Sequence, residues 1–108
     1  MARQTVHIAS TIPEQVKELI QSIDPDAEVI LFGSRARGDY RQDSDWDFLV
    51  LLEIPLTPEL KNEIRDRLYE LELEAGDILS ARIHEKAAWE KLEVTPFYQN
   101  VEQDGIAI

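Results

Sequence analysis

An α/β fold is predicted: a small mixed sheet of three main strands, with helices packed mainly on one face. Three observations carry that expectation. Two short and almost wholly apolar runs, Val29–Phe32 and Phe48–Leu52, have the length of strands buried on both sides. Around them apolar residues recur at helical spacing, at Val16, Leu19, Ile20 and Ile23 and again at Leu60, Ile64, Leu68 and Leu71. Cap and turn residues separate these runs, with no repeat and no linker, so residues 1–108 read as a single domain.

Met1 to Ser10 carries Val6, His7 and Ile8 without a clear period, and His7 reads as an ordinary terminal residue. Thr11-Ile12-Pro13-Glu14 is a capping box, with Thr11 as N-cap and Glu14 at the third helical position. Pro13 is harmless in a first turn, where N–H groups have no intrahelical partner. Asp24-Pro25-Asp26 ends this helix, because a residue before proline avoids the α region.

Glu28 to Phe32 forms the first strand, and Gly33 to Gly38 contains a short helical turn. Asp39 to Ser44 is a polar loop, and Trp46 to Glu53 is the second strand, closed by Pro55. Thr57-Pro58 starts a helix with proline at its first position, running to about Glu74 and stopped by Gly76. Glu70, Glu72 and Glu74 give it an acidic, solvated end. Asp77 to His84 reads as a third strand, with His84 structural. A helix from Glu85 to Leu92 turns Ala88, Trp89 and Leu92 inward. Thr95-Pro96 starts a last helix with Phe97, Tyr98 and Val101, ended near Gly105. Ile106 and Ile108 then add a short edge strand or pack on the core.

The chemistry is concentrated between Phe32 and Leu52. A glycine at a strand's end, Gly33, lets the backbone turn sharply and lets a bulky anion approach. Ser34 adds a hydroxyl where a helical turn begins, so free N–H groups there face a phosphate. Residues two apart in a strand share a face, so Asp45 and Asp47 project together while Trp46 and Phe48 project oppositely. Trp46 therefore belongs to the core. Two carboxylates on one strand face repel, and a divalent cation relieves them. An all-oxygen pair suits Mg²⁺ or Mn²⁺, completed by waters and substrate phosphates.

Composition narrows the partners. The chain has no cysteine, which excludes a disulfide scaffold and a thiolate metal site. No apolar run approaches a membrane span and the start is no signal peptide, so a cytoplasmic protein without membrane contact is expected. A net charge of -11 argues against long nucleic acid held by the general surface, because that affinity comes from neutralising phosphates. It favours a small nucleotide with a protein or small-molecule acceptor, and it also serves solubility.

The run GSRARGDYRQDSDWDFLV, with its Gly33-Ser34 turn and Asp45-Trp46-Asp47 opening the next strand, resembles the nucleotidyltransferases of the DNA polymerase β superfamily. Within that superfamily it looks like the minimal nucleotidyltransferase domains, short proteins often encoded beside HEPN-domain partners. The resemblance implies a polymerase β-like palm that transfers a nucleoside monophosphate from a nucleoside triphosphate, ATP first among them, to a hydroxyl. Gly33 and Ser34 would hold the β and γ phosphates, Arg37 and Arg35 would neutralise leaving charge, and Asp45 and Asp47 would be catalytic metal ligands. It further implies an antitoxin that binds or nucleotidylates a HEPN toxin.

The chain departs from the family pattern in its third strand. Active relatives carry a third carboxylate there, whereas this sequence has Leu79, Ser80, Ala81 and Arg82. Asp77, at the strand's mouth, is the one candidate substitute; a turn residue after Gly76 is its other reading. Activity that is weak or partner-dependent is expected in consequence. Two other functions fit the same residues: a degenerate module neutralising its partner by contact, and a subunit of a small-molecule nucleotidyltransferase of the antibiotic-modifying kind.

Overall fold

The computed structural model describes residues 11–108; His7 and the rest of the first ten residues lie outside it. The chain runs α1 (Ile12–Ile23), β1 (Glu28–Phe32), α2 (Ser34–Arg37), β2 (Trp46–Leu52), α3 (Pro58–Ala75), β3 (Leu79–Glu85), α4 (Lys86–Glu90), α5 (Pro96–Asp104) and β4 (Ile106–Ala107). The sheet has four strands in the order β3-β2-β1-β4. β1 is antiparallel to both β2 and β4, and β2 is parallel to β3. Three main strands and a short edge strand in a mixed sheet match the expected architecture. The two apolar runs are its inner strands.

Strand alternation divides the interior into two layers. Val29, Leu31, Phe48, Val50, Leu52 and Ile83 point to the side covered by the two long helices, where they meet Val16, Ile20, Ile64, Leu68 and Leu71. Leu49 and Leu51 point to the opposite side, where Trp89 and Val101 of α4 and α5 close over them. Ile108 packs on the first layer, so the C-terminus supplies both an edge strand and a core residue. Burying a side chain the size of leucine contributes about 2–3 kcal/mol, and Leu49, Val50, Ile20 and Ile64 are each wholly buried. The two layers therefore fix the position of β2 from both faces.

Helix ends follow the cap residues. The Thr11 hydroxyl accepts from the Glu14 N–H at 3.3 Å, and the Glu14 carboxylate accepts from the Thr11 N–H at 3.0 Å. Thr57 and Thr95 cap α3 and α5 with their hydroxyls alone, accepting from the Leu60 and Tyr98 N–H groups at 3.1 and 3.2 Å. Two boundaries differ from the sequence reading by two residues, the others by one at most. β3 starts at Leu79 rather than Asp77, because Gly76 closes α3 and the Glu72 carboxylate takes the Leu79 N–H at 2.8 Å, leaving Asp77 in the bend between. α4 ends at Glu90, with Trp89 buried as expected but Ala88 exposed, since a helix this short buries one side chain only.

Asp24 does more than end α1. It is 2% exposed, and its carboxylate accepts from the backbone N–H groups of Glu53 (2.7 Å), Ile54 (3.3 Å) and Asp26 (3.1 Å). It ties the end of the first helix to the far end of β2. Burial alone pushes its acidity down, but these three donors and the Lys86 ammonium more than offset that, and the carboxyl titrates below its ordinary value.

Candidate active site

The antiparallel register of β1 and β2 places Phe32 opposite Asp47. Gly33, the next residue, turns the chain with φ 78° and ψ -161°, a conformation open to glycine and strained for other residues. A methyl group at Gly33 would overlap Asp47 Oδ2 and sit 3.2 Å from its Cγ. Glycine is therefore required twice, by its backbone angle and by the carboxylate against it. Beyond the sharp turn and the anion approach expected of it, Gly33 has the Asp47 carboxylate as its immediate neighbour.

α2 follows, a single turn closed by bonds from Ala36 and Arg37 N–H to the Gly33 carbonyl and from Gly38 N–H to the Ser34 carbonyl. The first N–H groups of such a turn, at Ser34 and Arg35, have no acceptor within it. Beyond Gly38 the loop is clamped. Arg41 N–H donates to the Ser44 hydroxyl at 2.8 Å, and Ser44 N–H returns to the Arg41 carbonyl at 3.1 Å. Arg35 donates to the carbonyls of Gln42 and Ser44 at 3.1–3.3 Å. Its guanidinium also lies 4.5 Å from the ring centre of Tyr40 and 4.2 Å from that of Trp46. These contacts commit Arg35 to holding the loop between the turn and the aspartates.

Asp45 and Asp47 share the β2 face of Leu49 and Leu51, on the α4 and α5 side. Trp46 and Phe48 take the other face, their rings parallel and 6.4 Å apart, as the alternation required. Asp45 is exposed and Asp47 half-buried. Burial, followed by the charge of Asp45, raises the Asp47 carboxyl above its ordinary acidity range, and the Arg37 guanidinium partly counters them. Arg37 is thus close enough to be felt by Asp47, although its direct ion pair is with Asp39, at 3.3 Å on the surface.

The parallel register of β2 and β3 pairs Asp47 with Ser80. A serine, not a carboxylate, stands beside Asp47 in the neighbouring strand. Asp77 stays in the bend before β3, and among the described residues no group of three His, Cys, Asp or Glu side chains converges. The structure therefore brings together Gly33, Ser34, Arg37, Asp45 and Asp47, commits Arg35 to the loop, and keeps Asp77 in the bend before β3, outside any three-carboxylate group. A groove of about 410 Å³ between α1 and α3, edged by Glu18, Glu70 and Glu74, touches none of them.

One side of the site was not read from the sequence. α5 crosses the same sheet face, with Phe97, Asn100 and Asp104 lining a cleft shared with Phe32, Gly33 and Arg37. Phe97, Asn100, Val101 and Asp104 fall at i, i+3, i+4 and i+7, one stripe of a helix. That spacing was the available signal, and its two polar members hid it.

The site is thus a helical turn set against two carboxylates, Asp45 exposed and Asp47 half-buried, at the start of an inner strand of a mixed sheet. The family described as "Nucleotidyltransferase domain" matches residues 12–108, and the chain belongs to it: this is a nucleotidyltransferase. Two proteins of Methanocaldococcus jannaschii are similar along most of their length. The chain is 31% identical to "Putative protein adenylyltransferase MJ0604" over 78 residues, 72% of this chain and 73% of that one. It is 35% identical to MJ0141, of the same description, over 80 residues, 74% and 76% of the two chains. Among solved structures, a chain of a toxin-antitoxin crystallised with AMP-PNP superposes with TM-score 0.62 at 19% identity, over 90% of this chain and 72% of the other. A chain of a mutant MntA-HpeT toxin-antitoxin gives 0.61 at 20% identity, over 92% and 72%. These two likenesses establish the shared fold. No helix among the described residues is long and apolar enough to cross a membrane.

Proposed function

We propose that this nucleotidyltransferase moves a nucleoside monophosphate, AMP first among candidates, from its triphosphate to a hydroxyl of a partner protein. The partner is a HEPN-domain toxin, and the chain serves as its antitoxin. The observation that carries the reading is the contact between Gly33 and the Asp47 carboxylate, which joins a phosphate turn to an anionic cation site. The names of the two archaeal relatives and the toxin-antitoxin setting of the fold neighbours support the acceptor and the partner.

The donor set fits Mg²⁺ or Mn²⁺. Asp47 is made hard to ionise by burial and by Asp45, so the pair gains from any cation shared between them. Such a cation, held by Asp45 and Asp47, would shield the triphosphate and polarise the phosphorus under attack. The chain's own groups do the rest. The Ser34 hydroxyl and the free N–H groups of α2 orient the β and γ phosphates, with Gly33 leaving room for them. Arg37 answers the charge that gathers on the departing pyrophosphate, and Arg35 keeps loop 39–44 in place behind it.

A second reading rests on Ser80. With no carboxylate beside Asp47 in β3, the described residues offer no obvious base for the acceptor hydroxyl, and neutralisation by contact alone becomes the competing account. One experiment separates them. The chain is co-expressed with a HEPN-domain protein as partner, and the partner's intact mass is measured. Transfer predicts one added nucleoside monophosphate, lost with Asp47→Asn. A neutralised but unmodified partner establishes the contact reading. Modification without any toxin, on a free aminoglycoside, would establish the small-molecule function instead.

A further inference from the structure

A cleft of about 210 Å³ opens beside the phosphate turn, between the end of β1 and α5. Its sheet side is Phe32, Gly33 and Arg37, and its helix side is Phe97, Asn100 and Asp104. The aromatic wall is fixed in place. Phe97 meets Phe32 edge-on at 5.3 Å and Trp89 edge-on at 5.6 Å, and the Arg82 guanidinium lies 4.3 Å from its ring centre. The polar wall is uncommitted. Asn100 and Asp104 stand one helical turn apart, and neither side chain has a hydrogen-bond or ion-pair partner among the described residues. Asp104 also ends α5, where the helix's own partial negative charge disfavours a carboxylate and no basic residue in the last turn answers it.

We infer that this cleft takes the nucleoside half of the nucleotide, with Phe97 as the apolar wall and Asn100 and Asp104 as the hydrogen-bonding, specificity-determining residues. The inference rests on the triphosphate lying at Gly33 and Ser34. Three features select a nucleoside. The cleft shares Gly33 and Arg37 with the phosphate turn, so a ligand anchored there by its phosphates reaches the cleft with its sugar and base. A flat, polarisable base suits an immobilised aromatic wall. Asn100 both donates and accepts while Asp104 only accepts, the complement of base edges and ribose hydroxyls. An aromatic acceptor side chain from a partner is the rival occupant, and the test excludes one or the other.

The full chain is titrated calorimetrically with Mg²⁺-ATP and with Mg²⁺-tripolyphosphate, which carries the phosphates without the nucleoside. The wild type binds ATP more tightly than tripolyphosphate. Asn100→Ala and Asp104→Ala each weaken ATP by roughly 3- to 10-fold, the size of one lost hydrogen bond, and leave tripolyphosphate no weaker than in the wild type. Both positions are at the surface of α5, and a thermal melt verifies that each variant is folded. Unchanged ATP affinity in both variants overturns the inference and leaves the cleft to the acceptor. Equal affinity of the wild type for the two ligands overturns it as well. If the wild type binds neither, the phosphate-turn reading falls first, an outcome distinct from the other two.

Discussion

Gly33 and Asp47 are in contact across the β1–β2 pair, with the Asp47 carboxylate in the space that any side chain at position 33 would need. The turn proposed to receive phosphate and the carboxylate proposed to share the cation are therefore one mechanical unit. A change in either reports on both. The first prediction follows from this contact.

Gly33→Ala destabilises the protein by about 1–3 kcal/mol, from the positive φ, and pushes Asp47 out of line. Urea unfolding gives the first number, and calorimetry shows loss of Mg²⁺-nucleotide binding. Ser34→Ala is the milder control: the fold is kept and triphosphate binding weakens by about 1–2 kcal/mol, the loss of one hydrogen bond to a charged group. Wild-type affinity in Gly33→Ala would remove the turn from the site.

Asp47→Asn raises the melting temperature of the nucleotide-free protein by a few degrees at most. The sign follows from linkage. The folded carboxyl titrates above its unfolded value, so its contribution to stability is fully present below the unfolded value. That contribution is lost as pH rises through the folded one. At neutral pH the ionised group is a burden that asparagine removes. The same variant loses the extra stabilisation that Mg²⁺ with nucleotide gives the wild type, because binding to the native state supplies it. Melts of both proteins with and without ligand measure the two effects; a large fall in the ligand-free melt would make Asp47 a structural residue.

Asp24→Ala costs about 2–3 kcal/mol, since it strands the Glu53 and Ile54 N–H groups at the end of β2. Here the linkage has the opposite sign. The folded carboxyl titrates below its unfolded value, so the stabilisation is present above the ordinary carboxylate range and is lost as pH falls through the folded value. Wild-type stability therefore drops more steeply on acidification than that of Asp24→Ala. Denaturant titrations from neutral pH into the acid range check it; parallel curves would contradict the assignment.

Arg35→Ala loosens loop 39–44 without touching the aspartates. Limited proteolysis within 39–44 becomes faster, the emission of Trp46 shifts as its guanidinium cover is lost, and nucleotide affinity falls only moderately. Lysine at this position does not restore the loop, because a single ammonium lacks the planar fork that reaches two carbonyls and stacks on two rings. If Arg35→Ala abolishes triphosphate binding while the loop stays protected, Arg35 contacts phosphate directly.

Local sequence determined the elements and the chemistry. The capping box at Thr11 and Glu14, the i, i+3, i+4 stripes of α1 and α3, and the apolar runs of β1 and β2 each act within a few residues, so each is legible without the fold. The pairing of Asp45 with Asp47, and Trp46 turned from both, follows from strand alternation alone. The contacts between elements were decided only by the tertiary structure, because they depend on register and crossing. That Gly33 abuts Asp47 depends on the β1–β2 register. That Ser80 stands beside Asp47 depends on where β3 begins, which the Glu72–Leu79 bond fixes. Asp24 holds Glu53 from 29 residues away, and α5 turns Asn100 and Asp104 toward Gly33 because Val101 is buried against the opposite layer of the sheet. A one-residue slip in any of these pairings would face the same side chains elsewhere, which is why periodicity finds the site's members and only packing assembles them.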